Sequence, residues 1–134
     1  MKDQEYLFVY GTLRRAHRSL MSQWLAGNAK FSGRGTYRGK LLNLGRYPGA
    51  VLSRNASDNV LGDLYLLGAG GATLRLLDNY EGKEFCRKKA AISVKNNRSL
   101  SAWIYLFRGP ASGLPVIRGG NYLRFLKKPN QALL

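Results

Sequence analysis

Few side chains of this 134-residue chain could carry out chemistry, because it holds only seven acidic residues, one histidine and one cysteine. Among the acids, Glu81 is the strongest candidate, since it ends the predicted helix over residues 73–81 and is followed directly by Gly82. A carboxylate in the last helical turn faces the negative end of the helix dipole, which raises its pKa. A carboxyl group with a raised pKa can accept a proton and return it, so Glu81 is the candidate general base and acid.

The second candidate feature is the turn at residues 10–14, directly after the first predicted strand. Gly11 stops an aromatic and β-branched run, and a residue without a side chain lets backbone N–H groups approach a ligand closely. Successive N–H groups in such a turn can form a concave site for an anion. The turn lacks the glycine spacing of phosphate-binding and dinucleotide-binding loops, so we do not expect a nucleotide there.

The remaining residues are weaker candidates. Cys86 lies in the middle of a predicted strand beside Phe85, where a small packed thiol is the simpler interpretation. His17 lies among arginines and is expected to be a solvated loop residue rather than a base. No zinc-ligand spacing occurs in the sequence, so we expect no zinc site. The residue pattern alone also favours simpler interpretations of the first two candidates. By itself it indicates that Glu81 is an exposed glutamate at a helix end and that residues 10–14 are an ordinary turn after a strand.

The elements that must position these residues are mostly strands, identified by alternating or continuous apolar runs. The predicted strands are residues 6–10, 29–44, 60–67, 85–95 and 100–107, the second of them bent or bulged by its glycines. The predicted helices are residues 19–26, 73–81 and a short one within 119–128. Ser19 is the predicted N-cap of the first helix and Gly27 its stop. Turns are predicted at residues 47–49 and 96–99, and a loose tail from residue 129.

Length and composition predict one globular domain over residues 1–134, with 45% hydrophobic residues to build its core. Strands outnumber helices and do not alternate with them as βαβ units, so we expect an α+β fold with a curled, barrel-like sheet. One cysteine excludes an intrachain disulfide, and neither a signal peptide nor a membrane-spanning stretch is evident. We therefore expect a cytoplasmic protein without a membrane partner.

The net charge of +15 is not explained by an enzymatic function. Such a charge attracts anions, including nucleic acid. The cations are spread along the chain with no run of five or more, so we expect nucleic acid to bind only through nonspecific charge. A nucleic-acid-binding protein is nevertheless one alternative function. Its candidate stacking side chains are Tyr37, Tyr47, Trp103 and Tyr122.

Five segments, taken in order, are more specific than any single motif. They are Leu-Phe-Val-Tyr-Gly-Thr-Leu-Arg at 7–14, Tyr-Pro-Gly-Ala-Val at 47–51, Val-Leu-Gly-Asp-Leu-Tyr at 60–65, Leu-Leu-Asp-Asn-Tyr-Glu-Gly at 76–82 with Phe85 and Arg87, and the closing pair at 102–105 and 117–122. Together they resemble the gamma-glutamylcyclotransferase-like family, including the gamma-glutamylamine cyclotransferases. The resemblance covers most of the chain and reverses the two plain interpretations given above.

The resemblance implies a small mixed β-barrel with a few flanking helices. It also implies cyclisation of a gamma-glutamyl group to 5-oxoproline, with release of an amine from a small gamma-glutamyl amine or amino-acid substrate. The family's catalytic glutamate corresponds to Glu81. The implied substrate-binding residues are Tyr10, Gly11, Thr12, Leu13 and, as a pocket-lining residue, Tyr105. A non-catalytic module that binds a small carboxylate on the same fold is the other alternative.

The chain departs from the family pattern at three places. Phe85 stands where the family often has a tyrosine, Ala16 where glycine is common, and Gly120 with Asn121 where an acidic residue often occurs. The strong basic charge is not a family feature either. These differences bear on the identity of the substrate more than on the fold.

Overall fold

The computed structural model describes residues 5–68 and 71–127, which form six strands and three helices. The elements in chain order are β1 (Tyr6–Val9), α1 (Leu20–Asn28), β2 (Lys30–Asn43), β3 (Pro48–Leu52), β4 (Asn59–Leu66), α2 (Gly71–Glu81), β5 (Phe85–Val94), β6 (Arg98–Phe107) and α3 (Tyr122–Lys127). No helix in the described part is long and apolar enough to cross a membrane. The predicted tail from residue 129 lies outside the described residues.

Five of the strands close into a barrel in the order β1-β4-β2-β5-β6, and β6 returns to β1 through a parallel pairing of Leu7 with Trp103. The other neighbours in the ring are antiparallel. β3 is the additional strand, antiparallel to β2 and parallel to β6. The predicted α+β fold with a small mixed β-barrel is therefore confirmed.

The barrel closes between β2 and β5 at one described residue pair, Thr36 with Ser93. The two strands approach closely because Gly35 has no side chain: a Cβ atom there would lie 2.6 Å from Cγ2 of Ile92. On either side of this contact the strands diverge. The predicted bulge in β2 is also present, between Phe31 and Gly33 where the register against β4 shifts.

Two apolar clusters lie on opposite faces of the sheet, since successive side chains of a strand point to opposite faces. Along β1, Phe8 belongs to the barrel interior, whereas Leu7 and Val9 belong to the outer cluster. The outer cluster also contains Leu25 of α1 and Leu77 of α2, so both helices pack against the outside of the barrel. The end of β1 therefore leads into the space between the barrel and these helices.

The first helix begins as predicted and ends later than predicted. The Ser22 N–H group donates to the Ser19 side chain at 3.0 Å, and the Ser19 N–H donates back to the Ser22 hydroxyl at 2.9 Å, which forms a capping box. Gly27 does not stop the helix, which continues to Asn28. The chain leaves through Ala29 in an extended conformation that runs straight into β2, so no left-handed glycine is needed.

The predicted turn at residues 47–49 is wrong, because Pro48 and Gly49 already pair with β2 as the start of β3. The chain reverses just before them, where the Leu44 N–H donates to the Tyr47 carbonyl at 3.0 Å. Gly45 supplies the positive φ, 107°, that this reversal needs. The proline thus stands at the first residue of a strand, a position where its missing N–H is tolerated.

The hairpin between β5 and β6 is tighter than predicted. Asn96 and Asn97 both adopt left-handed φ values, 63° and 57°, as the two central residues of a short hairpin turn require. Arg98 and Ser99, which the sequence assigned to the turn, already pair with β5.

Candidate active site

A cavity of about 350 Å³ opens where β1 gives way to the following turn. Every candidate site residue named from the sequence lines it: Tyr10, Gly11, Thr12, Leu13, Glu81 and Tyr105. Its remaining wall is largely aromatic and apolar, with Tyr47, Pro48, Tyr80 and Phe85. The carboxyl group at the end of α2 and the turn at the end of β1 thus share one cavity.

The sequence of α2 directs Glu81 towards the barrel. The buried residues of this helix are Leu74 and Leu77, and Glu81 follows Leu77 by four residues, which puts it on the same helical face. The helix ends there because Gly82 adopts a φ of 81°, a left-handed conformation that suits glycine. The Gly82 N–H donates to the Asp78 carbonyl at 3.2 Å, which closes the last turn.

The Glu81 carboxyl group is electrostatically isolated. Burial raises its pKa from 4.5 to about 7, so the predicted direction is correct and burial is its cause. No hydrogen bond or ion pair to this carboxyl group occurs within residues 5–68 and 71–127. The other five acidic residues that the structure describes are each held by a hydrogen bond or an ion pair: Glu5, Asp58, Asp63, Asp78 and Glu84. Glu81 is therefore the acid in this set with nothing to stabilise its charged form.

The turn after β1 presents unused backbone donors. The Arg14 N–H closes the turn by donating to the Gly11 carbonyl at 3.1 Å. The N–H groups of Gly11, Thr12 and Leu13 have no acceptor among the described residues. These three residues line the cavity, so their N–H groups are candidate donors to an oxygen of a bound ligand. Gly11 itself is needed for space, since a Cβ atom there would lie 3.1 Å from Cγ of Pro48.

Asp63 anchors this turn from β4, and sequence reasoning did not single it out. Its Oδ2 accepts from the Arg15 N–H at 2.7 Å, and its Oδ1 lies 3.4 Å from Nη2 of Arg14. Arg14 also donates to the Asn121 side chain at 3.0 Å. The available signal was one aspartate inside the apolar strand at residues 60–67, since a buried charge requires partners.

The two cavity tyrosines use their hydroxyl groups to join elements. The Tyr10 hydroxyl donates to the Tyr105 carbonyl at 2.6 Å and accepts from the Ala50 N–H at 3.1 Å. The Tyr105 hydroxyl donates to Oδ1 of Asp78 at 2.6 Å. Burial raises the pKa of both phenols above the usual tyrosine value. Both residues therefore contribute their rings to the cavity wall, while their hydroxyl groups hold β1, β3, β6 and α2 together.

Asp78 is the second positioning residue that the sequence did not reveal by itself. It lies one helical turn before Glu81 and receives a two-point contact from Arg87 of β5, with Nε to Oδ1 at 2.7 Å and Nη2 to Oδ2 at 3.1 Å. The hydrogen bond from Arg87 lowers the pKa of Asp78. Through Arg87 and the Tyr105 hydroxyl, Asp78 fixes the last turn of α2 to both β5 and β6.

Known proteins of similar sequence identify the family of this chain. The family described as "Gamma-glutamyl cyclotransferase, AIG2-like" matches residues 7–124. The chain belongs to this family. It is 34% identical over 120 residues to the gamma-glutamylcyclotransferase family protein YtfP of Escherichia coli K12, which covers 87% of this chain and 95% of YtfP. The resemblance drawn from the five sequence segments is confirmed.

Solved structures of the gamma-glutamyl cyclotransferase family share the fold. The solution structure of Escherichia coli YtfP matches with a TM-score of 0.64 and 33% identity, over 91% of this chain and 99% of that one. The crystal structure of an AIG2-like protein from Mus musculus matches with a TM-score of 0.72, over 89% of this chain and 88% of that one. At 23% identity, the mouse protein is a likeness of fold alone.

The aromatic residues considered for stacking are mostly engaged elsewhere in this family member. Tyr37 and Tyr122 are buried in the protein. The Trp103 ring is covered by the guanidinium of Arg87, whose Cζ lies 4.4 Å from the ring centroid. Tyr47 is 40% exposed, but it stands at the rim of the cavity and its hydroxyl donates to Glu84. Two of the four candidate stacking side chains, Tyr37 and Tyr122, are therefore unavailable to a nucleic acid.

Neither His17 nor Cys86 lines the cavity. Cys86 is half-buried in β5, in line with a packed thiol. His17 is half-buried rather than fully solvated, and its Nδ1 is buried without a hydrogen-bond partner within the described ranges. In the same part of the chain, no group of three or more His, Cys, Asp or Glu side chains is placed to hold a metal ion.

Proposed function

We propose that this family member cyclises the gamma-glutamyl group of a small gamma-glutamyl amine or amino acid to 5-oxoproline, with Glu81 as general base and then general acid. The α-amine nitrogen of the substrate bonds to its γ-carbonyl carbon, and the bond from that carbon to the leaving nitrogen breaks. The α-ammonium group loses two protons in total, and the released amine gains two. Glu81 carries these protons in succession, and the proposed route uses no cofactor.

The raised pKa of Glu81 supports this assignment by magnitude. An α-amino group has a pKa of about 8 and an ordinary glutamate about 4.3, so proton transfer between them is uphill by about 5 kcal/mol. With a pKa of about 7, Glu81 reduces this difference to about 1.4 kcal/mol. The same carboxylic acid is then acidic enough to protonate the leaving nitrogen at neutral pH.

Positioning supplies the larger part of the proposed rate enhancement. A well-oriented intramolecular attack can contribute about 7–11 kcal/mol, provided that the substrate is held in its folded-back conformation. In the proposed complex, N–H groups of Gly11, Thr12 and Leu13 bind a substrate carboxylate or the γ-carbonyl oxygen. At the carbonyl oxygen these donors would stabilise the negative charge that develops as the ring closes.

The experiment that tests this proposal measures 5-oxoproline release from a panel of gamma-glutamyl amides and gamma-glutamyl amino acids. Glu81→Gln keeps the shape of the side chain and cannot carry a proton, so we expect loss of at least about a hundredfold in kcat. Glu5→Gln is the matched control, because Glu5 does not line the cavity and its side-chain partners, Trp103 and Lys89, do not line it either. Full activity of Glu81→Gln would remove this residue from the mechanism.

The main alternative, a non-catalytic module for a small carboxylate, uses the same cavity and has its own outcome. Calorimetry with 5-oxoproline and with gamma-glutamyl amides would then show binding to the wild-type protein without any product formation.

A cytoplasmic location is part of the proposal, and fractionation of cells that express the chain checks it.

A further inference from the structure

The positive charge of this protein is distributed unevenly between its concave surfaces. Within residues 5–68 and 71–127, no lysine or arginine lines the Glu81 cavity. A second concave surface is formed by three adjoining depressions of about 260, 520 and 610 Å³, none of which shares a lining residue with that cavity. All three depressions include Arg34 and Lys95, so they are continuous. This surface is called the basic cleft below.

The basic cleft has a structural origin in the barrel. β2 and β5 pair at Thr36 and Ser93, and beyond this contact the first half of β2 separates from the turn that joins β5 to β6. Arg34 lies on the β2 side of the opening and Lys95 on the turn side. The cleft is thus the gap left where the barrel closes over one residue pair.

Five exposed cations line the cleft. They are Arg15, Arg18, Arg34, Lys95 and Arg98. None of the five forms an ion pair with a carboxylate in residues 5–68 and 71–127. Among the described residues, Asp63 is the one acid in the cleft lining; it is 3% exposed and already paired with Arg14, which is 5% exposed. Five positive charges therefore face solvent there without local compensation.

We propose that the basic cleft binds the phosphodiester backbone of a single-stranded nucleic acid. Four of its five exposed cations are arginines, whose planar guanidinium groups match phosphate oxygens in two-point contacts. Arg15 is already ordered for this role, because its Cζ lies 4.6 Å from the centroid of the Phe31 ring. Each phosphate that is neutralised releases counterions, which supplies affinity without any contact to a base.

The shape of the cleft favours a strand over the other polyanions that a basic protein meets. A linear chain of phosphates can follow a concave groove along its floor, whereas a flat membrane surface can contact only the rims of the groove. Few aromatic side chains are available for stacking: of the described aromatic residues in the cleft lining, the Phe31 ring is covered by Arg15 and Tyr6 is half-buried. We therefore expect binding through the backbone with little preference for base sequence.

Fluorescence anisotropy with labelled single-stranded RNA and DNA of about 15 nucleotides tests this proposal. With five phosphate contacts, the logarithm of affinity falls with the logarithm of salt concentration with a slope of about −3.5. This slope corresponds to about a hundredfold loss of affinity between about 50 and 200 mM NaCl. Comparison of the RNA and DNA arms shows whether the 2′-hydroxyl contributes.

The deciding comparison uses two double variants that remove the same charge. The first double variant, Arg34→Gln and Lys95→Gln, removes two charges from the cleft. We expect it to bind about tenfold more weakly and to reduce the steepness of the salt dependence by about 1.4. The second double variant, Arg54→Gln and Arg118→Gln, removes two charges from exposed side chains outside the cleft. It should leave the salt dependence of binding unchanged. Circular dichroism and thermal unfolding of both variants show whether each is folded.

Three results would overturn the proposal. The first is an equal loss of affinity in both double variants, which would mean diffuse charge rather than a site. The second is tighter binding to polyglutamate or to phosphatidylserine vesicles than to either oligonucleotide. The third is no oligonucleotide binding at about 50 mM NaCl, where counterion release is strongest. Glu81→Gln should bind oligonucleotides like the wild type, so this proposal and the cyclisation proposal can fail separately.

Discussion

At the scale of single residues, Glu81 differs from every other acid in the described part of the chain because its carboxyl group has no hydrogen-bond or ion-pair partner there. A carboxylate normally keeps its charge through hydrogen bonds or a nearby cation, and the described Asp and Glu residues other than Glu81 have such partners. Glu81 is instead enclosed by the aromatic wall of the cavity, which raises its pKa to about 7. A residue arranged in this way is unfavourable for folding at neutral pH and useful for moving protons.

The cost of this arrangement gives a stability prediction for Glu81→Gln. Below about pH 4.5 the carboxyl group is protonated in both the folded and the unfolded chain, so its raised pKa costs nothing there. As pH rises from 4.5 to about 7, the unfolded chain ionises first, and the wild type loses up to about 3 kcal/mol relative to a chain with glutamine.

Urea unfolding of both proteins between about pH 4 and pH 8 measures this difference. We expect the advantage of Glu81→Gln over the wild type to increase through this range and to level off above about pH 7. A difference that stays constant with pH would show that Glu81 ionises in the folded protein as it does in the unfolded chain.

At the scale of elements, the sequence predicts the strands, the helices and the cavity residues better than it predicts the supports of the site. Glu81 and the turn at Gly11 are recognisable because each stands at the end of an element with a glycine beside it. Asp63 acts through Arg14, which is 49 residues away in the sequence, and Asp78 acts through Arg87, nine residues away on the strand that follows α2. The first pairing exists only after β1 and β4 have assembled, and the second only after α2 has packed against β5, so no pattern within a single element encodes them.

The support of α2 by Asp78 leads to an element-scale prediction. Asp78→Asn removes the charge that pairs with Arg87, so the last turn of α2 should move more freely and Glu81 should be more hydrated. We expect kcat for 5-oxoproline release to fall about tenfold with little change in KM, because the N–H donors of the turn after β1 remain in place. We also expect the pKa of Glu81 to shift from about 7 towards 4.5.

NMR titration of the Glu81 side-chain carbon measures the pKa shift directly, whether or not turnover occurs. Glu5→Gln is the matched control, because it breaks a comparable ion pair, Lys89 to Glu5 at 3.1 Å, away from the cavity lining. An unchanged pKa in Asp78→Asn, or an equal change in Glu5→Gln, would exclude a positioning role for Asp78.

At the scale of the whole molecule, the described residues separate a cavity lined by no lysine or arginine from an exterior of high positive charge. The sequence predicts the amount of charge and its spread along the chain, but not its location in space. Arg34 and Lys95 are distant in sequence and become neighbours only because β2 meets β5 at Thr36 and Ser93. The concentration of charge in the basic cleft is therefore a product of topology.

The excess of 15 positive charges also determines how the whole protein responds to salt. Like charges repel one another in the compact state, and salt screens this repulsion, since the Debye length falls from about 30 Å at 0.01 M to about 8 Å at 0.15 M. Salt also weakens attractive pairs, but the described residues contain only three, and one of them, Lys89–Glu5, is partly exposed and contributes little. We therefore expect NaCl to stabilise the fold, and a gain of about 1 kcal/mol would raise the thermal midpoint by about 4 °C. Equal shifts in NaCl and sodium acetate at equal ionic strength would identify screening rather than binding of a particular anion as the cause, whereas a midpoint that falls with added salt would mean that attraction within the fold outweighs the repulsion.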